Sequence, residues 1–443
     1  MKRYYIETYG CQMNLADSEI VASIMEHEGF IRAKQIEEAH AIFVNTCAIR
    51  EHAEDKVYSR LGVLRKMKRK NPDLLLGLIG CMAQHLKDDI LENKSFVDFV
   101  LGPDSYRRLP EIIHRQKRLT KSIVDTRLSK FEVYEQLFPS RTAGINAWVS
   151  IMRGCDKFCT FCIVPFTRGR ERSRSLKSIV EEVRIAVDDG FQEVTLLGQN
   201  VNSYRYQTFR FPDLLEAVAY VPGLKRVRFT SPHPKDVNDE MLQVMRDHTN
   251  LCKSIHLPLQ AGSNQVLKRM NRTYTRDEFL ILVDRIRDIL PGCGLTTDII
   301  VGFPGETHED FEDTLSVMEK VKFDSAFTFK YSPRPGTKAA EYDDIVTEDE
   351  KISRLNELIS LQKKHTLYRN TQEVGRTVEV LIEKESKKST AHWAGRTDNN
   401  KWVIFPKEQT TMGEIVSVTI NAAHGVTLFG EPSKNWESTY ATI

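Results

Sequence analysis

Cys155, Cys159 and Cys162 form the run Cys-x3-Cys-x2-Cys, with Thr160 and Phe161 between the last two thiols. Three thiolates this close hold three corners of a cubane iron–sulfur cluster and leave its fourth iron without a protein ligand. An open iron is a Lewis-acid site, which suits chemistry better than storage of electrons. Zinc is the competing reading, but structural zinc closes four ligands, usually as two Cys-x2–4-Cys pairs. No second pair follows here. Buried structural thiols are the remaining alternative.

The other five cysteines divide into two kinds. Cys11, Cys47 and Cys81 each follow a short, largely apolar or aromatic stretch (Lys2–Gly10, His40–Thr46 and Leu74–Gly80) that reads as a buried strand. Each precedes a helical stretch, at 17–30, 53–70 and 84–93. Strands alternating with helices give a parallel sheet, and such sheets gather their sites outside the carboxyl ends of the strands. The three thiols therefore share one sheet edge and form a second three-thiolate site, again one ligand short. The bland alternative is three small hydrophobes at strand ends. Cys252 and Cys293 instead precede the strands 253–260 and 295–303, at the opposite strand ends, and read as structural.

The elements that must position the first site follow from residue 146. Strands at 146–153, 193–197, 226–230, 254–259, 296–301 and 326–331 are separated by amphipathic stretches such as 177–189 and 276–290. Six βα units predict a partial (β/α)6 barrel with its site at the C-terminal strand ends. The polar motifs Gly198–Asn202, Ser231–Pro234, Gln260–Ser263 and Gly302–Glu306 follow those ends. The expected fold class is α/β: an N-terminal parallel α/β domain, this barrel, and a small C-terminal antiparallel β-barrel. Phe96–Leu101 is the expected fourth strand of the first unit, and 121–144 reads as a polar linker. Past the helical stretch 348–369, the short strands 375–383, 395–405, 414–420 and 426–430 build the last unit.

Composition is that of an ordinary globular chain, 41% apolar and 28% charged with a net charge of +2. The longest uncharged apolar run, Leu74–Gly80, is far short of the roughly 20 residues that span a bilayer. With no apolar segment at its N-terminus, the chain is expected in the cytoplasm, where thiols stay reduced. Local charge says more than the total. Arg168, Arg170, Arg172 and Arg174 alternate just past the cluster loop and are candidates to neutralise RNA phosphates. Arg65, Lys66, Lys68, Arg69 and Lys70 form a second block. Small barrels hold single strands by aromatics and local cations, so Trp393, Arg396, Lys401 and Trp402 join the candidates.

The motifs also carry a resemblance. Thr8-Tyr9-Gly10-Cys11-Gln12-Met13-Asn14 with Asp17-Ser18-Glu19, then Asn45-Thr46-Cys47 and Gly80-Cys81, resemble the N-terminal domain of the methylthiotransferases. Arg153-Gly154-Cys155 through Arg174, with the barrel beyond, resemble the radical S-adenosylmethionine (SAM) core of that family. Gly395-Arg396-Thr397-Asp398-Asn399 resembles its TRAM domain. The resemblance covers essentially the whole chain and divides it at 1–120, 141–371 and 372–438. Gly198–Tyr204 and Gly10–Asn14 are similar to the branch that modifies tRNA. The branches acting on a ribosomal protein or on threonylcarbamoyladenosine differ at both strings.

That resemblance implies two 4Fe-4S clusters, one at Cys155, Cys159 and Cys162 binding SAM and one auxiliary at Cys11, Cys47 and Cys81. It implies methylthiolation at C2 of N6-isopentenyladenosine beside the anticodon. One SAM would donate the methyl group, a second would be the source of the 5′-deoxyadenosyl radical, and the auxiliary cluster would carry the sulfur. It gives Phe161, Gln260, Arg272 and Asp298 to SAM, with Gln199 and Asn200 at SAM or substrate. The implied partners are tRNA carrying N6-isopentenyladenosine and a flavodoxin- or ferredoxin-type electron donor, with no membrane and a monomeric enzyme. The sulfur donor is left open. Two other readings stand beside this one: methylthiolation of a ribosomal-protein side chain or of threonylcarbamoyladenosine, and a non-catalytic iron–sulfur RNA-binding redox sensor.

Overall fold

The computed structural model describes residues 2–47, 51–85, 96–116 and 122–433, with backbone alone for 51–55. Strands β1 (Arg3–Tyr9), β2 (Ile31–Arg32), β3 (Ala41–Thr46), β4 (Leu75–Gly80), β5 (Phe99–Leu101) and β6 (Ile123–Asp125) make one parallel sheet in the order β2-β1-β3-β4-β5-β6. β3 is buried along its whole length, as expected for a parallel strand covered on both faces. Helices α1 (Gln12–His27), α2 (Glu51–Lys70) and α3 (Cys81–His85) follow β1, β3 and β4. α1 starts earlier than the sequence suggests because Cys11 is its N-cap. Residues 86–93 of the third expected helix lie outside the described residues.

The stretch read as a linker is packed structure. Its residues 123–125 pair in parallel with β5 as the sixth strand, too short a run to stand out in a polar sequence. Tyr134 is 1% exposed, and its hydroxyl donates to the Pro103 carbonyl at 2.7 Å. Its ring lies 4.8 Å from the Arg153 guanidinium. The segment therefore seals the first unit against the second.

In the central unit, β7 (Asn146–Ser150), β10 (Glu193–Leu197) and β13 (Arg226–Phe229) form one parallel sheet. β14 (Ser254–His256), β15 (Gly294–Val301) and β16 (Ser325–Lys330) form another. A bridge between Val227 and Leu251 joins the two arcs into an open barrel. Within the span of the first arc lie β8 (Met152–Arg153), β9 (Arg172–Ser173) and the small hairpin of β11 (Arg205–Tyr206) and β12 (Phe209–Arg210). β15 shows how the sequence builds the wall. Leu295, Thr297, Ile299 and Val301 are buried, while Thr296, Asp298 and Ile300 are half-exposed. The period of two sends the first set under helices 276–289 and 308–321 and the second into the lumen.

Past helix 348–371, β17 (Thr377–Ser386), β18 (Ser389–Thr397), β19 (Trp402–Pro406), β20 (Ile415–His424) and β21 (Thr427–Pro432) close into a five-stranded barrel. The stretch 395–405, read as one strand, is the end of β18, a turn, and β19. All pairings are antiparallel except β19 with β21.

The turn of this small barrel docks onto the N-terminal strand ends of the large one. Arg228 Nη1 and Nη2 donate to the carbonyls of Asp398 and Thr397 at 3.1 and 2.8 Å. Lys401 Nζ lies 2.6 Å from Asp324 and 3.0 Å from Asn370. Lys401 and Arg396 were expected to meet RNA, and the structure corrects both. Lys401 is 7% exposed, and Arg396 is shared between Glu383 at 2.5 Å and Glu193 at 3.1 Å. They fasten one domain to the next.

Candidate active site

β1, β3 and β4 end in step, with Tyr9 opposite Thr46 and Thr46 opposite Gly80. Cys11, Cys47 and Cys81 therefore emerge side by side. A buried asparagine pair fixes the first two. Asn14 Nδ2 donates to Asn45 Oδ1 at 3.0 Å and to the Thr46 carbonyl at 3.2 Å, and Asn45 Nδ2 donates to the Asn14 carbonyl at 2.8 Å. Gly10 is required at this junction: a Cβ there would stand 2.4 Å from Asn14 Oδ1 and 3.0 Å from the Cys47 Cβ. Both asparagines stood inside the sequence motifs, but nothing in the sequence said that they pair.

The three thiols differ in acidity. Cys11 is lowered to about 6, first by a hydrogen bond from Cys47 and then, against burial, by the charge of Arg168. Burial instead raises Cys81, although Arg168 Nε lies 3.1 Å from its sulfur. One thiol is thus ready as thiolate and another gives up its proton only when a cation arrives, the usual coupling of metal binding to proton release.

The second triad lies on the loop after β8. Gly154 (φ +80°) starts it, and a Cβ there would meet the Arg170 carbonyl oxygen at 2.0 Å. The Cys155 amide donates to the Gly169 carbonyl at 3.1 Å and the Cys162 amide to the Cys159 carbonyl at 2.9 Å. Burial raises Cys155 to about 11 and Cys162 to about 12, and the neighbouring thiols of the triad add to both shifts. Arg272 Nη1 stands 3.2 Å from Cys159 Sγ, a fixed cation for an anionic site. Among the described residues, no three His, Cys, Asp or Glu side chains converge as ligands of a single metal ion. A cubane makes no such demand, since each of its irons takes one thiolate. Two three-thiol sets, each with a guanidinium at one sulfur, fit that group.

The segments that carry the two triads touch. Cys81 packs against Ile163, the neighbour of Cys162, and the short helix Val164–Arg168 runs from one site to the other. A buried ion-pair network closes the seam. Asp17 on α1 receives Arg153 Nη1 at 2.8 Å and Arg168 Nη2 at 2.9 Å. Asp104 receives Arg172 at 2.9 Å and lies 3.8 Å from Arg153. Arg174 bonds Glu182 at 2.5 Å. Arg168, Arg172 and Arg174 are 3–8% exposed, so these three members of the quartet do not meet phosphate. Arg170 is exposed but sits 2.6 Å from Asp156. Burial without partners would leave each arginine an uncompensated charge, which is why acids on distant segments answer them.

The residues given to SAM stand around the same mouth. Phe161 packs edge-on against Phe303, with centroids 6.4 Å apart. Gln260 (φ +70°) bridges β14 to β15 by its backbone. Asp298 Oδ2 lies 3.2 Å from His256 Nε2 on the lumen face. Gln199 Oε1 is buried with no hydrogen-bond partner among the described residues, an acceptor left for a ligand. Asn200 does a structural job: Nδ2 donates to Asp236 at 2.9 Å, and Oδ1 accepts the His233 amide at 3.1 Å. Beside the cluster loop, a cleft of about 350 Å³ reaches Cys159 and Cys162 from outside, with Phe158, Phe166, Lys268 and Lys338 on its walls.

Comparison with known proteins gives the family. Residues 149–318 match the radical SAM superfamily, 3–102 match the uncharacterized protein family UPF0004, and 371–432 match the TRAM domain. The chain is 49% identical over 438 residues to the tRNA-2-methylthio-N(6)-dimethylallyladenosine synthase of Parabacteroides distasonis, covering 97% of this chain and 95% of that one. It is 50% identical to the protein of the same name from Phocaeicola vulgatus, covering 97% and 96%. Among solved structures it resembles the radical SAM methyltransferase TsrM of Kitasatospora setae, with a TM-score of 0.59 and 13% identity over 77% of this chain and 75% of that chain. The cobalamin-dependent radical SAM enzyme OxsB matches with a TM-score of 0.52 and 14% identity over 80% and 56%. At such identities the solved structures speak for the fold alone.

Proposed function

This chain belongs to the family of tRNA-2-methylthio-N(6)-dimethylallyladenosine synthases, radical SAM enzymes, and from that premise we propose how its own residues divide the work. The reaction is methylthiolation of C2 of N6-isopentenyladenosine next to the anticodon of tRNA. Cys155, Cys159 and Cys162 hold a 4Fe-4S cluster whose open iron takes SAM; Cys11, Cys47 and Cys81 hold a second, auxiliary one. When bound, these groups and two SAM molecules supply hydrogen abstraction from an aromatic carbon, a methyl group and a carried sulfur atom.

The protein's part is placement and exclusion. Arg272 offsets negative charge at Cys159 and, with Gln260 and Asp298, holds the polar groups of SAM. Phe161 and Phe303 wall the mouth with rings, which keeps a reactive site dry. Gln199 offers its buried carbonyl oxygen to SAM or to the target base. An acidic carrier of the flavodoxin or ferredoxin type delivers electrons at the cleft, where Lys268 and Lys338 line the wall.

The single observation that carries the proposal is the packing of Cys81 against Ile163. It brings the loops that carry two three-thiol sets from separate domains into contact, which supports a reaction shared between them over a redox sensor. The test is an anaerobically reconstituted Cys11→Ala, Cys47→Ala, Cys81→Ala variant given SAM, reductant and an isopentenylated anticodon stem–loop. It should still make 5′-deoxyadenosine and yield no methylthiolated RNA by mass spectrometry. Methylthiolated product from this variant would overturn the assignment.

A further inference from the structure

Arg168 reaches from the segment after the first triad to a thiol of the second. It is 3% exposed, and its Nε donates toward Cys81 Sγ at 3.1 Å while Nη2 bonds Asp17 at 2.9 Å. Its Nη1 is buried with no hydrogen-bond partner among the described residues. The surrounding network joins three arginines, Arg153, Arg168 and Arg172, to two aspartates, Asp17 and Asp104. Among these five side chains the arginines outnumber the acids by one, and the unpaired donor belongs to the arginine that touches the thiol. A buried cation with a free N–H beside three converging thiols is a site made for an anion.

We propose that Arg168 is a positioning residue for the auxiliary iron–sulfur site, fixing the Cys81 sulfur by an N–H···S bond and raising the reduction potential of a cluster held there. The inference rests on the reading that Cys11, Cys47 and Cys81 hold such a cluster. Three thiolates make the assembly net negative, and reduction adds one more negative charge. A fixed guanidinium at 3.1 Å stabilises the reduced state more than the oxidised one. Hydrogen bonds to ligand sulfurs and net charge are established levers on cluster potential. Because Arg168 ends the helix that begins next to Cys162, the same bond ties the position of one site to that of the other.

The test uses the full chain with Cys155, Cys159 and Cys162 replaced by Ala, so that only the auxiliary site takes iron. Iron and sulfide are counted first, and the cluster is then titrated with dithionite under EPR detection. Arg168→Gln should make reduction harder by at least about tenfold in the equilibrium constant, which is 59 mV for a one-electron couple. Arg168→Lys, which keeps the charge and loses the planar fork, should fall between. Arg172→Gln disturbs the same network without touching a thiol, and should leave the potential where it was. If Arg168→Gln loses its iron, the Arg168→Lys potential decides, and a value equal to the parent's overturns the proposal. An Arg168→Gln potential equal to the parent's overturns it as well. If the parent takes up no iron, the auxiliary-site reading itself fails, a result told apart by the metal count alone.

Discussion

Asp17 is the keystone of the seam between the N-terminal unit and the barrel, and its removal has a calculable cost. The carboxylate is fully buried and takes one guanidinium on each oxygen, at 2.8 and 2.9 Å from Arg153 and Arg168. Asp17→Ala leaves both cations without it. Arg153 keeps a weaker partner in Asp104 at 3.8 Å, whereas Arg168 keeps only a thiol. Breaking one side of a buried pair costs about 3–5 kcal/mol, and the help from Asp104 argues for the lower half of that range. At 1.4 kcal/mol per decade, docking should weaken by roughly two to three powers of ten. Trp148 reports on it, since it packs against Met13 and Ala16 of α1. With the other tryptophans changed to Phe, its fluorescence in urea follows undocking of the N-terminal unit. The triple change Asp17→Leu, Arg153→Met, Arg168→Met should restore most of the loss, because apolar groups of like size replace buried ions at little cost. A shift below about 1 kcal/mol for Asp17→Ala, the range of an exposed pair, would refute the reasoning.

Three further outcomes are expected of the same molecule. Glu19 is raised to about 7, by burial first and against the pull of Arg141, so its folded form holds a proton that the unfolded chain has lost above its ordinary 4.5. Its stabilising contribution is complete below 4.5 and disappears as pH rises through about 7; Glu19→Gln should flatten urea midpoints across that window, and an unchanged slope would count against it. Lys268→Glu with Lys338→Glu should slow reduction by an acidic carrier protein severalfold at low salt and leave reduction by dithionite unchanged; equal slowing with both reductants would move the carrier elsewhere. Lys384 and Lys407 stand 4.3 Å over the rings of Trp402 and Trp393 on the small barrel, and changing both lysines to Ala should lower the slope of log tRNA affinity against log salt by about two, with no change if that face does not meet RNA.

What the sequence disclosed was whatever repeats locally. Thiol spacing, strand–helix alternation and the polar strand ends are written in neighbouring residues, and they located both triads and the barrel mouth. The arginine quartet failed as an RNA surface because a charge does not announce its partner. Arg168 finds Asp17 151 positions away and Arg172 finds Asp104 68 positions away. Lys401 meets Asp324 across 77 residues. Alternating arginines look alike in sequence whether they face water or acids buried on another domain. The same blindness hid β6, a three-residue edge strand with too little apolar length to rise above a polar background.

The misreading itself says how this architecture works. Two of the four arginines that seemed destined for a polyanion, Arg168 and Arg172, are spent on the joint that presses the N-terminal unit against the cluster loop, and a third, Arg174, is spent inside the barrel on Glu182. A looser, hydrophobic seam would hold two domains together at an approximate angle. Paired guanidiniums and carboxylates, each costly to leave unmatched, admit one register and penalise every neighbouring one. On the proposed division of work, that selectivity lets one site hand its cargo to a substrate activated at the other. The penalty for misalignment falls on Arg153, Arg168 and Asp17, none of which needs to touch substrate to set how the loops of the two triads meet.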